Sequence, residues 1–137
     1  MVKLAHVCIE TDDLDKTEAF YNKLGLKKQF EFRNNDDELI GMYLAFSDNT
    51  FLEVIKVLKP REEGAVRHFA IEVDDIEETH TQLSKKGVDV SEKKLGVDKT
   101  WMITTRDPNN IFIEFHQYTN DSLQQNGGQC LIDYTPK

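Results

Sequence analysis

Short alternating runs of apolar and polar residues, separated by two acidic stretches with a helical repeat, predict a chain of strands with two helices among them. In the opening run Leu4, His6 and Cys8 share one side of a strand and Val7 and Ile9 the other, since successive side chains point to opposite faces. Asp12 and Asp13 then offer an N-cap, and Asp15 and Glu18 put negative charge in the first helical turn. Leu14, Tyr21 and Leu24 follow at helical spacing with Phe20 beside them, and Gly25 stands where the residue after a helix end belongs. A second helix is signalled by Asp74 and Glu77 as a capping box, by Ile76, His80 and Leu83 along its apolar face, and by Gly87 at its close. Alternation predicts further strands over Leu39–Phe46, Thr50–Leu58, Thr100–Thr105 and Ile111–Tyr118.

The two halves repeat one another. Leu4–Gly25 laid on Val66–Gly87, with His6 on His68, gives eight identities without a gap: His, Ile, Glu, Asp, Asp, Thr, Lys and Gly. The strand T-F-L-E-V-I-K-V, Thr50–Val57, falls on I-F-I-E-F-H-Q-Y, Ile111–Tyr118, so that Glu53 meets Glu114. Both strands follow a polar turn, S-D-N in one copy and D-P-N-N in the other, and a loop absorbs the one-residue difference in spacing. The chain is therefore expected to be one domain over residues 1–137. Module one spans 1–58, a charged Pro/Gly linker 59–64, module two 65–118 and a loosely packed tail 119–137. Gln129–Thr135 in that tail has the composition of a short strand at a sheet edge or a dimer surface.

Composition narrows the partners. With 39% apolar and 31% charged residues the chain is globular, not disordered. Asp and Glu outnumber Lys and Arg by 25 to 17, and the net charge of −8 argues against nucleic acid and against anionic membrane surfaces. Glu10 interrupts the opening apolar run too early for a signal peptide, and no run is long enough to span a membrane, so an intracellular, cytoplasmic location is expected. Cys8 and Cys130 make neither a disulfide framework nor a metal-clip spacing, and Cys8 is expected to be a buried thiol.

Strand parity then singles out four residues. One face of each strand carries the apolar pairs Val7 and Ile9, Leu52 and Val54, Phe69 and Ile71, or Ile113 and Phe115; the other carries His6, Glu53, His68 or Glu114. A lone histidine in a strand is ordinarily structural, and a lone glutamate ordinarily faces solvent. Duplication changes that reading, because it sets both histidines and both glutamates symmetrically about one axis. The four are expected to converge on a single divalent cation. Phe51 and Ile55 flank Glu53 and Phe112 flanks Glu114, surroundings in which a carboxylate pair would repel itself unless a cation neutralised it. Two imidazoles and two carboxylates suit Zn or Ni, with Fe(II), Mn and Co as alternatives. His116 shares the parity of Glu114 and reads equally as a cavity or rim residue, while Trp101 reads as core.

Four segments carry a resemblance. These are the His6 strand with the run from Asp13 to Leu26 (D-x-x-x-x-x-x-F-Y-x-x-x-L-G-L), F-L-E-V around Glu53, the R-H-F-A-I-E-V-D-D block around His68, and D-P-N-N-I-F-I-E-F around Glu114. In these, nearly all of residues 2–119 resembles the vicinal oxygen chelate superfamily. That superfamily includes glyoxalase I, extradiol dioxygenases, methylmalonyl-CoA epimerase and the fosfomycin and bleomycin resistance proteins. The resemblance implies an α+β fold: two βαβββ modules in tandem forming a U-shaped mixed sheet around a metal cavity. It also implies a homodimer.

The His, Glu, His, Glu quartet looks most like glyoxalase I (lactoylglutathione lyase). That likeness implies a small-molecule substrate, the hemithioacetal of a 2-oxoaldehyde and a thiol, with Glu53 or Glu114 as the catalytic base. Two positions depart from the bacterial glyoxalase I pattern. Glu10 stands where an Arg would meet the thiol cofactor's carboxylate, and Val57 where an Asn is usual. Another thiol, another enzyme of the superfamily such as a dioxygenase or epimerase, and a drug- or metabolite-binding resistance protein remain the competing expectations. In the last turn Asn110 replaces the usual Gly, a residue that tolerates the left-handed conformation.

Overall fold

The structure, a computed structural model, describes residues 3–61 and 64–136. Glu62 and Glu63 of the expected linker lie outside the described residues, as do Met1, Val2 and Lys137 at the ends of the expected first module and tail. The chain divides into two compact units. One runs to Arg67 and also takes in Asp107–Ile111; the other comprises His68–Arg106 and the chain from Phe112 onward.

In the first unit β1 (His6–Thr11), α1 (Leu14–Lys23), β2 (Lys27–Arg33), β3 (Leu39–Ala45) and β4 (Phe51–Lys56) follow in order. They build a four-stranded sheet in the order β1-β4-β3-β2, with β1 parallel to β4 and the remaining pairs antiparallel. The second unit repeats the plan with β5 (His68–Glu72), α2 (Ile76–Lys85), β6 (Lys94–Leu95), β7 (Trp101–Arg106) and β8 (Phe112–Gln117), in the order β5-β8-β7-β6. A short helix, α3 (Leu123–Asn126), follows. The architecture is thus α+β, with two tandem βαβββ modules each carrying a mixed sheet.

Each helix covers the sheet face that the alternation marked as apolar. Ile9, Met42, Leu44, Leu52 and Val54 are buried with Leu14 and Tyr21 of α1; Ile103, Ile113 and Phe115 are buried with Ile76 and Leu83 of α2. At about 1.5–3 kcal/mol per fully buried side chain, these layers fix which face of each strand is left for chemistry. Asp13 caps α1 by accepting the N–H of Lys16 at 3.0 Å. The second cap is Asp75, not the expected Asp74: Asp75 is extended, accepts the N–H of Glu78 at 3.0 Å, and starts the helix at the buried Ile76. Gly25 and Gly87 end the helices at φ of +99° and +80°, where a Cβ would be strained.

Two strands have no counterpart in the alternation. β2, K-K-Q-F-E-F-R, is a bulged edge strand with most of its residues exposed, and β6 is only two residues long. The tail also differs from expectation. Its first part is anchored by the fully buried Ser122, whose hydroxyl accepts from the Thr100 hydroxyl at 2.8 Å and from the N–H of Thr119 at 2.8 Å. Gln129–Thr135 forms no strand. Cys8 is exposed, contrary to the buried thiol expected, because it lies on the sheet face that α1 does not cover.

Candidate metal centre

The first module builds a His–Glu pair on β1, β4 and β3. Parallel pairing sets Cys8 opposite Glu53, and antiparallel pairing sets Tyr43 opposite Glu53 on the other side. His6 reaches along β1 so that its Nε2 lies 3.2 Å from Glu53 Oε2. The Tyr43 hydroxyl donates to the same Oε2 at 3.3 Å and lies 3.4 Å from His6 Nδ1. Desolvation, then the negative charge of Glu53 and the bond to it, raise the Tyr43 pKa and keep the hydroxyl in its donating form.

The second module repeats the pair and alters its support. His68 Nε2 lies 3.5 Å from Glu114 Oε2, and His116, two residues along β8, places Nε2 2.9 Å from the other oxygen, Oε1. The position opposite Glu114 on β7 is Thr104, where the first module has Tyr43. Sequence parity ranked His116 as a cavity or rim residue; here it is a direct partner of Glu114. Tyr43 carried no expectation at all, although the short turn between β3 and β4 fixes its register against Glu53.

Each module presents donors of the type that a zinc-like divalent ion takes, one imidazole nitrogen and one carboxylate oxygen, and two donors alone do not complete such a site. Ligands bonded at about 2.0–2.2 Å to one tetrahedral or octahedral ion stand about 3.0–3.5 Å apart. The His6–Glu53 and His68–Glu114 separations fall at that spacing, with imidazole nitrogen and carboxylate oxygen as the facing atoms. Among the described residues, no group of three or more His, Cys, Asp or Glu side chains is placed to hold one ion. The structure pairs His6 with Glu53 in one unit and His68 with Glu114 in the other.

Glu10, the residue in place of an arginine, is itself bound by one. The backbone N–H of Arg61 donates to Oε1 at 3.0 Å, and its guanidinium reaches Oε2 through Nη2 at 2.9 Å and through Nε at 3.1 Å. These bonds hold the Glu10 carboxyl below the usual carboxylate range. The segment expected as a linker thus supplies a cation that neutralises Glu10. Between Glu10 and His6, desolvation by the neighbouring side chains and then the charges of Glu53 and Glu10 push the Cys8 thiol up. A cleft of about 250 Å³ at the start of α1, lined by Asp12, Asp13, Asp15, Leu39 and Lys56 among others, holds none of the four His and Glu residues.

Residues 5–105 match the family model of the Glyoxalase/Bleomycin resistance protein/Dioxygenase superfamily. The chain belongs to this superfamily. No curated protein sequence matches it. Among solved structures, a glyoxalase family protein from Enterococcus faecalis is similar at 22% identity and a TM-score of 0.71, covering 83% of this chain and 96% of that one. Lactoylglutathione lyase from Agrobacterium tumefaciens is similar at 17% identity and a TM-score of 0.66, covering 84% and 92%. An integron cassette protein from the mobile metagenome of a Halifax Harbour sewage outfall shares 20% identity at a TM-score of 0.73, covering 86% and 100%. At these identities the likeness extends to the fold of the superfamily and no further. Among the described residues, no helix is long and apolar enough to cross a membrane.

Proposed function

We propose that the protein is a metal-dependent lyase or isomerase of the glyoxalase I type, with His6, Glu53, His68 and Glu114 as its metal ligands. The observation that carries this reading is the same His–Glu pair at ligand spacing on equivalent strands of both modules. Membership of a superfamily that includes glyoxalases supports it. Zn and Ni suit the donors best, with Fe, Mn and Co as further candidates. When bound, the ion would supply Lewis-acid stabilisation of charge developing on substrate oxygens.

The chain's own residues account for the proton movements. The substrate is the hemithioacetal of a 2-oxoaldehyde, in which a carbon bearing hydroxyl, sulfur and hydrogen adjoins a carbonyl. Glu53 or Glu114 removes that carbon-bound hydrogen as a proton, and the electron pair passes into an enediolate. Returning the proton to the neighbouring carbon gives a 2-hydroxyacyl thioester with the same atoms and no net redox change. Tyr43 and His116 orient the two carboxylates by bonding one oxygen of each. In this reading the substrate is the small-molecule partner, and the working form is a homodimer.

Metal analysis of the untagged protein, paired with hemithioacetal turnover for several thiols, tests the reading. One divalent ion per site is expected, with turnover lost on chelation and restored by metal. Glu53→Gln should abolish turnover; catechol cleavage that survives this substitution would instead place the protein among ring-cleaving dioxygenases. A metal-free protein without turnover, binding a ligand tightly in the presence of chelator, would overturn the enzyme reading in favour of a sequestering role.

A further inference from the structure

The two modules keep the His–Glu pair but differ in what surrounds it. On the uncovered face of the first sheet Phe30 stacks on Tyr43 with ring centres 4.4 Å apart and planes 23° from parallel. Phe32 meets Phe30 edge-on at 5.3 Å, and Phe51 and His6 lie 5.6 Å and 5.4 Å from Tyr43. The rings form one connected surface that runs from the edge strand to the His6–Glu53 pair. Phe30 keeps 44% of its surface exposed at the outer end of this run. Gly41 lies beside this run: a Cβ there would lie 2.6 Å from the backbone oxygen of Val54, 3.1 Å from the Phe32 ring and 3.2 Å from the Ile55 methyl.

Among the described residues the second module has ring contacts only in pairs, His68 with Phe112 at 5.8 Å and His116 with Tyr118 at 6.4 Å. Thr104 replaces Tyr43, and Phe112, the counterpart of Phe51, lies beneath the Arg106 guanidinium at 5.1 Å. An apolar wall with a few convergent polar groups at one end is the usual form of a small-molecule subsite. Here the polar end is the carboxylate, imidazole and phenol hydroxyl of the first module. The wall reaches Glu53 through the Tyr43 ring and hydroxyl, and flat aryl groups gain from stacking on such rings.

We infer that the first module selects substrates whose 2-oxoaldehyde carries an aryl group, with Phe30 as a specificity-determining residue. The inference rests on the glyoxalase-type reading, which its test can separate. Mandelate and lactate are 2-hydroxy acids differing only in phenyl against methyl. Binding of each to the metal-loaded protein is measured by calorimetry, beside turnover of phenylglyoxal and methylglyoxal hemithioacetals of one thiol.

Mandelate is expected to bind about tenfold tighter than lactate, and phenylglyoxal to show the same preference in kcat/KM. Phe30→Ala should lose this discrimination and Phe30→Leu only part of it. Both should fold, since the side chain lies half-exposed on an edge strand. Equal binding of the two acids, or discrimination unchanged in Phe30→Ala, overturns the inference while turnover keeps the reading. Tighter mandelate binding lost in Phe30→Ala, without turnover of either hemithioacetal, upholds the aryl subsite and overturns the reaction.

Discussion

Tyr43 stands opposite Glu53 because the turn after β3 is short enough to fix the register of the hairpin. Its hydroxyl is expected to matter through the carboxylate it holds. On the proposed metal-binding reading, Tyr43→Phe keeps the ring and should weaken metal binding about tenfold, read by competition with a chromogenic chelator. The Thr104→Ala protein should bind as the wild type does. Glu10 makes a separate prediction. Arg61 depresses its pKa, so the ion pair is intact above the ordinary carboxylate range and is lost as pH falls through the depressed value. A carboxyl titration followed by NMR should show the Glu10 midpoint rising in Arg61→Gln. His6, Glu53, His68 and Glu114 stand out in the sequence because each recurs at the matching strand position of the other module. His116 is marked only by its parity with Glu114, as a cavity or rim residue, and Tyr43 by nothing, since each belongs to one module only.

At the scale of elements, the helices and the central strands were legible because an apolar face and a cap signal coincide in them. β2 and β6 were hidden because an edge strand with one open face needs little apolar patterning, and a bulge breaks the alternation that remains. The caps carry a prediction: Asp13→Ala and Asp75→Ala should each cost about 1 kcal/mol in denaturant unfolding, whereas Asp74→Ala should cost far less. Gly41→Ala should cost about 1–3 kcal/mol, because the new methyl would sit 2.6 Å from the backbone oxygen of Val54. It should also disturb the near-ultraviolet signal of the ring cluster.

Across the molecule, the turn after β7 is the least expected feature. The Tyr21 hydroxyl, fully buried, donates to Asp107 Oδ2 at 2.7 Å, and burial followed by that negative charge pushes its pKa far up. Asn109 accepts from the Thr11 hydroxyl at 2.7 Å and donates to that of Thr17 at 3.0 Å. The motif D-P-N-N reads locally as a turn; nothing in its pattern names the distant helix whose polar groups it satisfies. Asp107→Ala should lower stability by about 1–3 kcal/mol, measurable by chemical denaturation, since it strands a buried phenol. Severing the polypeptide near residue 61 would leave an N-terminal piece without the acceptor for that phenol. Such a piece should stay poorly ordered until the C-terminal piece is mixed back in, so these halves, alike in ancestry, should behave as complementing fragments and not as independent folding units.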